Sequence, residues 1–434
     1  MTASLDRRQL LAGLGITLAN LTLPNPALAT TAQILTAAAG ELALPGSPTP
    51  TRTQCFDAST PGPLLRAKRS QPVKLRFANR LETPSAIHWH GLRLANAMDG
   101  VPALTQQAVK PGEGFDYVFT PPDAGTFWYH TPAFGPFLSQ CEAGLYGVLV
   151  VDEDEPPQVD QDLILVIDDW NIGPDGQILS AASTISSKPT VTVNSKAAET
   201  IRLAPNERVR LRLVNAAATR IARLALAGFE ATIIAIDGHP VDTPFAPNHG
   251  RIDLPPGGRA DIAVDGTLAA GSEAGIALDL DGEVVILAHL VAGTAVPLRS
   301  APLPPLVLPR PSLPAALALQ KAKRVAVTLP GHATGGGVLP DKPLFSIKRG
   351  SLVDLGLANK TRIDHAVHVH GHAMRILHPF DDEWQPYWVD TVAIGPGETV
   401  HTVFLADNPG KWLLHGRACG PSRKDDLLAW FEVT

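Results

Sequence analysis

The stretch HAVHVHGH, from His365 to His372, holds four of the fourteen histidines of the chain. It lies between apolar runs that are rich in β-forming residues, which predicts a strand whose side chains alternate between two faces. On such a strand His368, His370 and His372 share one face, and His365 points to the other. One strand is therefore expected to serve two separate sites.

The composition favours an all-β protein outside the nucleic-acid-binding classes. Forty prolines and thirty-seven glycines separate short apolar runs along 434 residues, as in β-sandwiches and barrels. The net charge of −6 and the scattered lysines and arginines give no basic surface for nucleic acid. The length allows two to four domains.

Two patterns recur once in each third of the chain. PLLRAKRSQPVKLRFANRL, TIRLAPNERVRLRLVNAA and PLFSIKRGSLVDLGLANK each indicate a strand, a polar turn and a longer strand that ends near Asn79, Asn215 or Asn359. AVKPGEGFDYVF, DLPPGGRADIAV and AIGPGETVHTVF repeat a Pro/Gly turn before another strand. This repetition predicts three consecutive β-sandwich domains. We place them at 36–154, 155–300 and 318–434, with a proline-rich linker at 301–317.

The N-terminus is typical of an export signal. Arg7 and Arg8 precede an apolar stretch, and small residues follow at Ala27 and Ala29. Residues 1–29 are therefore interpreted as a twin-arginine signal peptide, and a chance basic N-terminus is the other interpretation. No later run is long and apolar enough for a membrane span, so we expect a periplasmic or secreted protein.

Cys55, Cys141 and Cys419 are too few for a disulfide framework. One disulfide in an oxidising compartment and three buried thiols are both compatible with the sequence.

The remaining histidines cluster in the first and third repeats. HWHG places His88 and His90 on one strand face, GTFWYHTP adds His130, and GKWLLHGR adds His415 at the matching place in the third repeat. A lone histidine on such a strand is usually structural, but paired histidines in two sister domains predict a metal site. The second repeat holds scattered histidines, interpreted as ordinary turn or core residues: His239, His249 and His289.

At this point the sequence resembles the multicopper oxidases, the laccase-like family of three cupredoxin domains. The matching motifs are STPGPLLR, IHWHGLRLANAMDGVP, PGEGFDYVFTPPDAGTFWYH, GLYGVLVVDE, IDDWN, AIDGHPV, HVHGH and ADNPGKWLLH. The resemblance implies Greek-key β-sandwich domains and copper as the cofactor. It also implies a blue copper that passes electrons to a trinuclear copper cluster between the first and third domains, where dioxygen becomes water.

Six cluster ligands carry over from this resemblance. They form three pairs: His88 with His368 for the type-2 copper, His90 with His130 for one type-3 copper, and His370 with His415 for the other. Each type-3 pair lacks its third histidine, because Arg417 and Pro132 stand at those positions. A guanidinium cannot donate a lone pair to a metal, so we expect Arg417 to weaken occupancy of its site.

The blue copper site is expected to be lost. The family reads HCH where this chain reads HGR, so Gly416 replaces the thiolate that a blue copper needs. His365 is the remnant of that site. The second imidazole would fall near Pro421, and the axial ligand near Asp426 or Leu428.

Three further residues have two interpretations each. Asp99 resembles an acid that supplies protons near the cluster, and is the candidate catalytic residue; it would otherwise cap a turn. Cys419 is either a displaced thiolate or a buried or disulfide-bonded cysteine. His372 is expected to support the ligands or to lie on the surface.

The sequence therefore favours an exported copper protein with a partly degenerate histidine cluster. We expect oxidoreductase activity to be absent, slow or altered, with copper ions and dioxygen or a small reductant as partners. The alternative is a noncatalytic three-cupredoxin scaffold that binds an envelope protein. A working laccase-type oxidase is a third hypothesis, which the loss of the thiolate disfavours.

Overall fold

The fold is built almost entirely from short antiparallel and parallel strands. A computed structural model describes residues 33–179, 188–269, 272–280, 282–294, 296–330, 338–378, 384–420 and 426–434. The predicted signal peptide lies outside these ranges. Gln33–Thr434 forms one compact unit. In the described residues no helix is long and apolar enough to cross a membrane.

The first pair of sheets contains eight strands. They are β1 Gln33–Leu42, β2 Thr51–Phe56, β3 Gly62–Lys68, β4 Val73–Asn79, β5 His88–His90, β6 Gly114–Phe119, β7 Gly125–His130 and β8 Tyr146–Asp152. The strand orders are β2-β1-β4-β6 and β3-β8-β7-β5. Alternate apolar residues of both sheets meet in one core, as the period of two requires. A short helix, α1 Leu138–Glu142, precedes β8.

The second pair of sheets contains eleven strands. They are β9 Gln161–Trp170, β10 Thr190–Val193, β11 Glu199–Leu203, β12 Arg208–Asn215, β13 Ala222–Ala227, β14 Thr232–Ile236, β15 His239–Phe245, β16 Arg251–Leu254, β17 Arg259–Asp265, β18 Glu273–Leu280 and β19 Glu283–Ala292. The strand orders are β10-β9-β12-β17-β14-β15 and β11-β19-β18-β13-β16, and the two sheets enclose a second core.

The third pair of sheets contains ten strands. They are β20 Lys323–Leu329, β21 Ser346–Ile347, β22 Ser351–Asn359, β23 His365–Val369, β24 Met374–Leu377, β25 Trp384–Val389, β26 Thr391–Ile394, β27 Thr399–Ala406, β28 Gly410–Ala418 and β29 Leu427–Val433. The strand orders are β20-β22-β27-β24-β25 and β21-β29-β28-β23-β26, around a third core. Four 3₁₀ turns complete the described elements: Asn96–Met98, Gly135–Phe137, Asn248–Gly250 and Leu319–Lys321.

The three sheet pairs confirm the predicted all-β class of three cupredoxin-like sandwiches. The exact boundaries at 36–154, 155–300 and 318–434 stay a prediction.

The recurring asparagines explain why the sequence repeats. Asn79, Asn215 and Asn359 are each fully buried at the end of a long strand. Each amide group donates to two backbone carbonyls, those of Thr83 and Val109, of Arg220 and Leu254, and of Ile363 and Ile394. Each side-chain oxygen accepts from the backbone N–H two residues later. One asparagine thereby ties the end of its strand to the following loop and to a second segment of the same sandwich.

Replacing one of these asparagines tests this role. Asn215→Leu is expected to lower the free energy of unfolding by about 2–4 kcal/mol, because two buried carbonyls lose their donors. Asn248→Ala, at an exposed asparagine of the same sandwich, is expected to change it by less than about 0.5 kcal/mol. Urea unfolding followed by tryptophan fluorescence measures both, and equal effects would contradict the assignment.

Candidate metal centre

Six histidines line one small cavity of about 20 Å³. They come from β5, β7, β23 and β28 and from the residue that follows β23. Their exposed fractions lie between 2% and 6%, so almost none of their polar surface meets water. Buried polar groups need compensating partners, and the partners of these rings indicate what the cavity holds. The six are His88, His90, His130, His368, His370 and His415.

Strand pairing brings the rings together. His88 on β5 lies opposite His130 on β7, and His368 on β23 lies opposite His415 on β28. Directly opposed residues of antiparallel strands have close side chains. Trp89, between the two histidines of β5, faces the first core and is fully buried. The HxH spacing therefore aims two imidazoles at the cavity and a core residue away from it.

His88 and His368 face each other through their Nε2 atoms, which are 3.4 Å apart. The Nδ1 atom of His88 donates to the carbonyl of Asp99 at 2.9 Å. The Nδ1 atom of His368 donates to the carbonyl of Asp390 at 3.0 Å. Since a carbonyl only accepts, both rings carry their proton on Nδ1, and both Nε2 atoms present lone pairs. Burial lowers the pKa of His368, which favours the neutral ring.

His90 and His130 form a second facing pair, in which His90 presents Nδ1 instead of Nε2. Nδ1 of His90 lies 3.3 Å from Nε2 of His130. His130 donates from Nδ1 to the carbonyl of Thr131, and His90 donates from Nε2 to the carboxylate of Asp390. The two facing nitrogens again present lone pairs. Burial is the largest cause that holds the pKa of both rings well below the usual value, with further lowering by His368 at His90 and by His88 at His130.

Two facing lone pairs repel each other unless a cation lies between them. Nitrogens 3.3–3.4 Å apart fit one ion with bonds of about 2.0–2.1 Å and an N–metal–N angle of about 110°. His88, His90 and His368 also form one group whose ligand atoms lie within 4.8 Å of one another. The arrangement therefore fits metal ions bound by neutral imidazoles.

Asp99 supports the third pair of rings. Its carboxylate accepts from Nδ1 of His370 at 3.0 Å and lies 3.2 Å from Nδ1 of His88. Burial alone would raise the pKa of Asp99, but His370 and His88 lower it below the ordinary value. At neutral pH Asp99 is therefore a carboxylate that orients two rings. His415 also lines the cavity, with its ring 6.0 Å from that of Phe134.

Pro132 and Arg417 line the same cavity. Arg417 is 6% exposed, and its Nη1 atom donates to the carbonyl of Ala218 at 3.2 Å. Its positive charge contributes to the lowered pKa of His130. The cavity thus contains one fixed cation where the resemblance would place an imidazole.

The position of the expected blue-copper thiolate is filled by leucines. A Cβ atom on Gly416 would lie 3.0 Å from Cβ of Leu427 and 3.3 Å from Cδ2 of Leu329. His365 is fully buried, and its Nε2 atom lies 3.1 Å from the hydroxyl of Thr361. An apolar contact therefore lies where the resemblance implies a thiolate.

The structure describes two of the other three positions expected at the blue site. Pro421 lies outside the described residues. The carboxylate of Asp426 accepts from the backbone N–H of Ala418 at 2.8 Å, and Leu428 packs in an apolar cluster. Burial raises the pKa of Cys419 to about 12, so its sulfur is a thiol at neutral pH. In the described part of the chain, Cys55, Cys141 and Cys419 form no disulfide.

His372 departs from the parity expectation. β23 ends at Val369, and Gly371 adopts a φ of 68°, so the alternation of faces stops before His372. The ring is 3% exposed and packs among Phe404, Trp412 and Phe431, with centroid distances of 5.0–5.5 Å. Its Nδ1 atom lies 3.0 Å from the carbonyl of His370. Of the two expected positions, His372 therefore has the one that supports a candidate ligand, and it does not lie on the surface.

Sequence reasoning missed Asp390 and Thr391, which contact two of the cluster histidines. The Thr391 hydroxyl lies 3.0 Å from Nε2 of His90 and 3.1 Å from Nδ1 of His368. The one signal was an aspartate directly after the apolar end of a strand, in YWVDTVAI. Such a residue is also common in turns, so the sequence did not single it out.

Comparisons with known proteins agree with this geometry. Three family models, each described as multicopper oxidase, match residues 40–156, 162–270 and 309–418. Multicopper oxidase MmcO of Mycobacterium tuberculosis is 30% identical over 419 residues, which cover 84% of this chain and 80% of that protein. Copper resistance protein A of Pseudomonas syringae is 39% identical over 117 residues, 26% of this chain and 19% of that protein.

Solved structures give the same result. A multi-copper oxidase from Pseudomonas thermotolerans superposes with a TM-score of 0.82 at 32% identity, covering 92% of this chain and 98% of that one. Lac15 from a marine microbial metagenome superposes with a TM-score of 0.78 at 35% identity, covering 93% and 100%.

Removing one ring of a facing pair tests whether the pair binds metal. His368→Ala is expected to weaken binding of Cu²⁺ by at least about 100-fold, because losing a ligand costs more than losing a ligand's hydrogen-bond partner. His239→Ala, at a buried histidine outside the cavity, is expected to leave Cu²⁺ binding unchanged. Competitive titration against a chelator measures both. Equal affinity of wild type and His368→Ala would contradict the assignment.

The lowered pKa values predict how metal-free protein responds to acid. Burial and His88 lower the pKa of His370 to about 3. In the unfolded chain the pKa of this histidine is about 6.5. Between pH 3 and pH 6.5 the unfolded chain therefore binds a proton that the folded chain excludes, so the free energy of unfolding falls as the pH falls. His370→Gln is expected to flatten the pH dependence by about 1.4 kcal/mol per pH unit in this window.

Denaturant unfolding with a chelator present, at several values between about pH 4 and 7, measures this effect. His401→Gln is the control, because that side chain is 47% exposed and lies outside the cavity lining. A pH dependence that is the same in His370→Gln and wild type would show that the ring is not buried as a neutral base.

Proposed function

Because this chain belongs to the multicopper oxidase family, we propose that it binds copper at the histidine cluster and has lost electron entry through a blue copper. Two pairs of facing imidazole lone pairs carry this proposal. Copper is the metal that the family binds, and neutral imidazole is one of its preferred ligands.

The facing nitrogens support two of the three ligand pairs, and the third pair follows from the family resemblance. We assign His88 and His368 to a type-2 copper, whose ligand pair is complete. The type-3 pairs are incomplete: His90 with His130, and His370 with His415. Arg417 adds a positive charge beside the first of these pairs, which disfavours a further divalent ion there. A single type-2 copper is the occupancy that this balance favours.

Bound copper supplies one-electron redox chemistry and reactivity with dioxygen. The chain supplies orientation: backbone carbonyls and the carboxylates of Asp99 and Asp390 fix which nitrogen of each ring faces the cavity. Asp99 is also the candidate for proton transfer: it is a buried carboxylate in contact with His88 and His370, so it can pass on a proton only after accepting one. A cavity of about 20 Å³ limits direct partners to molecules as small as dioxygen or a small reductant.

Loss of the thiolate separates this protein from a laccase. Leu427 and Leu329 occupy the space beside Gly416, and His365 is the remaining imidazole of the blue site. Without the sulfur, no ligand bridges an outer electron donor to the cluster, so we propose that oxidoreductase activity is absent, slow or altered. A noncatalytic scaffold that binds an envelope protein is the alternative, but a scaffold gains nothing from facing lone pairs that destabilise its core.

We also propose that the protein works outside the cytoplasm after twin-arginine export. The motif at residues 1–29 supports this location, and the three domains are proposed at 36–154, 155–300 and 318–434, joined in part by the linker 301–317. Folding before export would let copper be bound in the folded protein.

Spectroscopy of copper-reconstituted protein tests the proposal. We expect a type-2 paramagnetic resonance signal that His88→Ala removes, together with no intense blue absorption. Gly416→Cys is expected to add no blue band, because Leu427 and Leu329 fill the site. Protein that stays copper-free after reconstitution would favour the scaffold, and an intense blue band in the wild type would overturn the proposal.

A further inference from the structure

The second sandwich supplies none of the six histidines, but one of its arginines binds an aspartate that contacts two of them. Arg259, the first residue of β17, is fully buried. Its guanidinium forms a forked ion pair with Asp390, at 2.6 Å from Nη2 and 3.0 Å from Nη1. The same group donates to the carbonyls of Thr126, Gly257 and Asp237. All five N–H donors of the arginine therefore have an acceptor.

Asp390 also contacts two imidazole rings of the cluster. Its Oδ1 atom accepts from Nε2 of His90 at 3.1 Å and lies 3.3 Å from Nδ1 of His368. Its backbone carbonyl accepts from Nδ1 of His368 at 3.0 Å. These two rings belong to different facing pairs. One aspartate thus fixes both protons: its carboxylate accepts the N–H of His90, and its backbone carbonyl accepts the N–H of His368 with the carboxylate close by.

A second aspartate fixes the backbone of the same segment. Oδ2 of Asp237 accepts from the backbone N–H groups of Asp390 and Thr391, at 3.0 and 3.2 Å. Oδ1 of Asp237 accepts from the backbone N–H of Arg259 at 2.9 Å. A Cβ atom on Gly257 would lie 2.6 Å from Cε1 of His90, so the second sandwich also contacts that ring through its backbone.

We propose that Arg259 is a positioning residue for the copper ligands: through Asp390 it fixes the tautomers of His90 and His368, and so selects Nδ1 of one and Nε2 of the other for the metal. This inference rests on the proposed copper site. The forked geometry matters because it holds both carboxylate oxygens in one plane, which lysine cannot reproduce. If Asp390 rotates, His90 is free to place its proton on Nδ1, where it blocks the nitrogen that faces His130.

Copper binding and resonance spectra of full-length protein test the metal side of this inference. Arg259→Lys keeps the charge and loses the fork, and Arg259→Met loses both. We expect each to weaken Cu²⁺ binding about 10- to 100-fold, as is typical when a partner of a ligand is removed, and to change the type-2 hyperfine splitting through His368. Asp390→Asn is expected to do the same.

Arg210→Lys is the matched control. Arg210 is equally buried on the neighbouring strand β12 and pairs with Asp261 and Glu153, at 2.6 and 2.7 Å, away from the histidines. We expect Arg210→Lys to lower stability without changing copper affinity or the resonance spectrum. If Arg259→Lys resembles Arg210→Lys in both measurements, the role of Arg259 is only structural and the inference is wrong.

A metal-free measurement separates this inference from the proposed function. Nitrogen-15 imidazole shifts report the tautomer of each histidine, with His90 assigned from His90→Gln. We expect the Nε2–H form of His90 in wild type and Arg210→Lys, and a mixture in Arg259→Met. A wild type that binds no copper would refute the proposed site while the tautomers still test Arg259. Unchanged tautomers in Arg259→Met would refute the positioning role.

Discussion

Six imidazoles share a buried space that water barely enters, and every other feature of the site follows from how their protons are placed. For five of the rings the structure gives an acceptor for one N–H: a carbonyl for His88, His130 and His368, and a carboxylate for His90 and His370. Once that donor is fixed, the other nitrogen becomes a lone pair aimed at a neighbour. The fold therefore stabilises a set of bases whose mutual repulsion a metal ion relieves.

The sequence was sufficient to predict the features that depend on the alternation of side chains along a strand. The HxH spacing on β5 and the strand-end positions of His130 and His415 predicted the cluster, and the strand-terminal asparagines predicted three related sandwiches. Parity failed at His372, because a single glycine with positive φ ended the alternation. The sequence pattern also could not predict the ion pair of Arg259 with Asp390. These residues lie 131 positions apart and meet only when the second and third sheet pairs pack together.

The two faces of β28 explain how the proposed loss of a blue copper is compatible with an intact histidine cluster. His415 points into the cluster cavity, while the next residue, Gly416, faces the opposite side of the sheet and packs against Leu427 and Leu329. A glycine at position 416 therefore changes an apolar contact on one face of β28 and leaves the imidazole of His415 in place on the other.

The charged residues around the cavity determine the electrostatic cost of each ion that the proposed site would take. Asp99 and Asp390 are both carboxylates at neutral pH, since neighbouring histidines and, for Asp390, Arg259 lower their pKa values against the effect of burial. Arg259 offsets the charge of Asp390, and Arg417 brings a second fixed cation to the cavity wall. Each added divalent ion must then overcome both a guanidinium and the ions already bound, in a space with little screening. His88, by contrast, lies beside the carboxylate of Asp99 and faces His368. In the proposed site, a single copper held by His88 and His368 would therefore meet the least of this repulsion, and Arg417 would weaken a type-3 position.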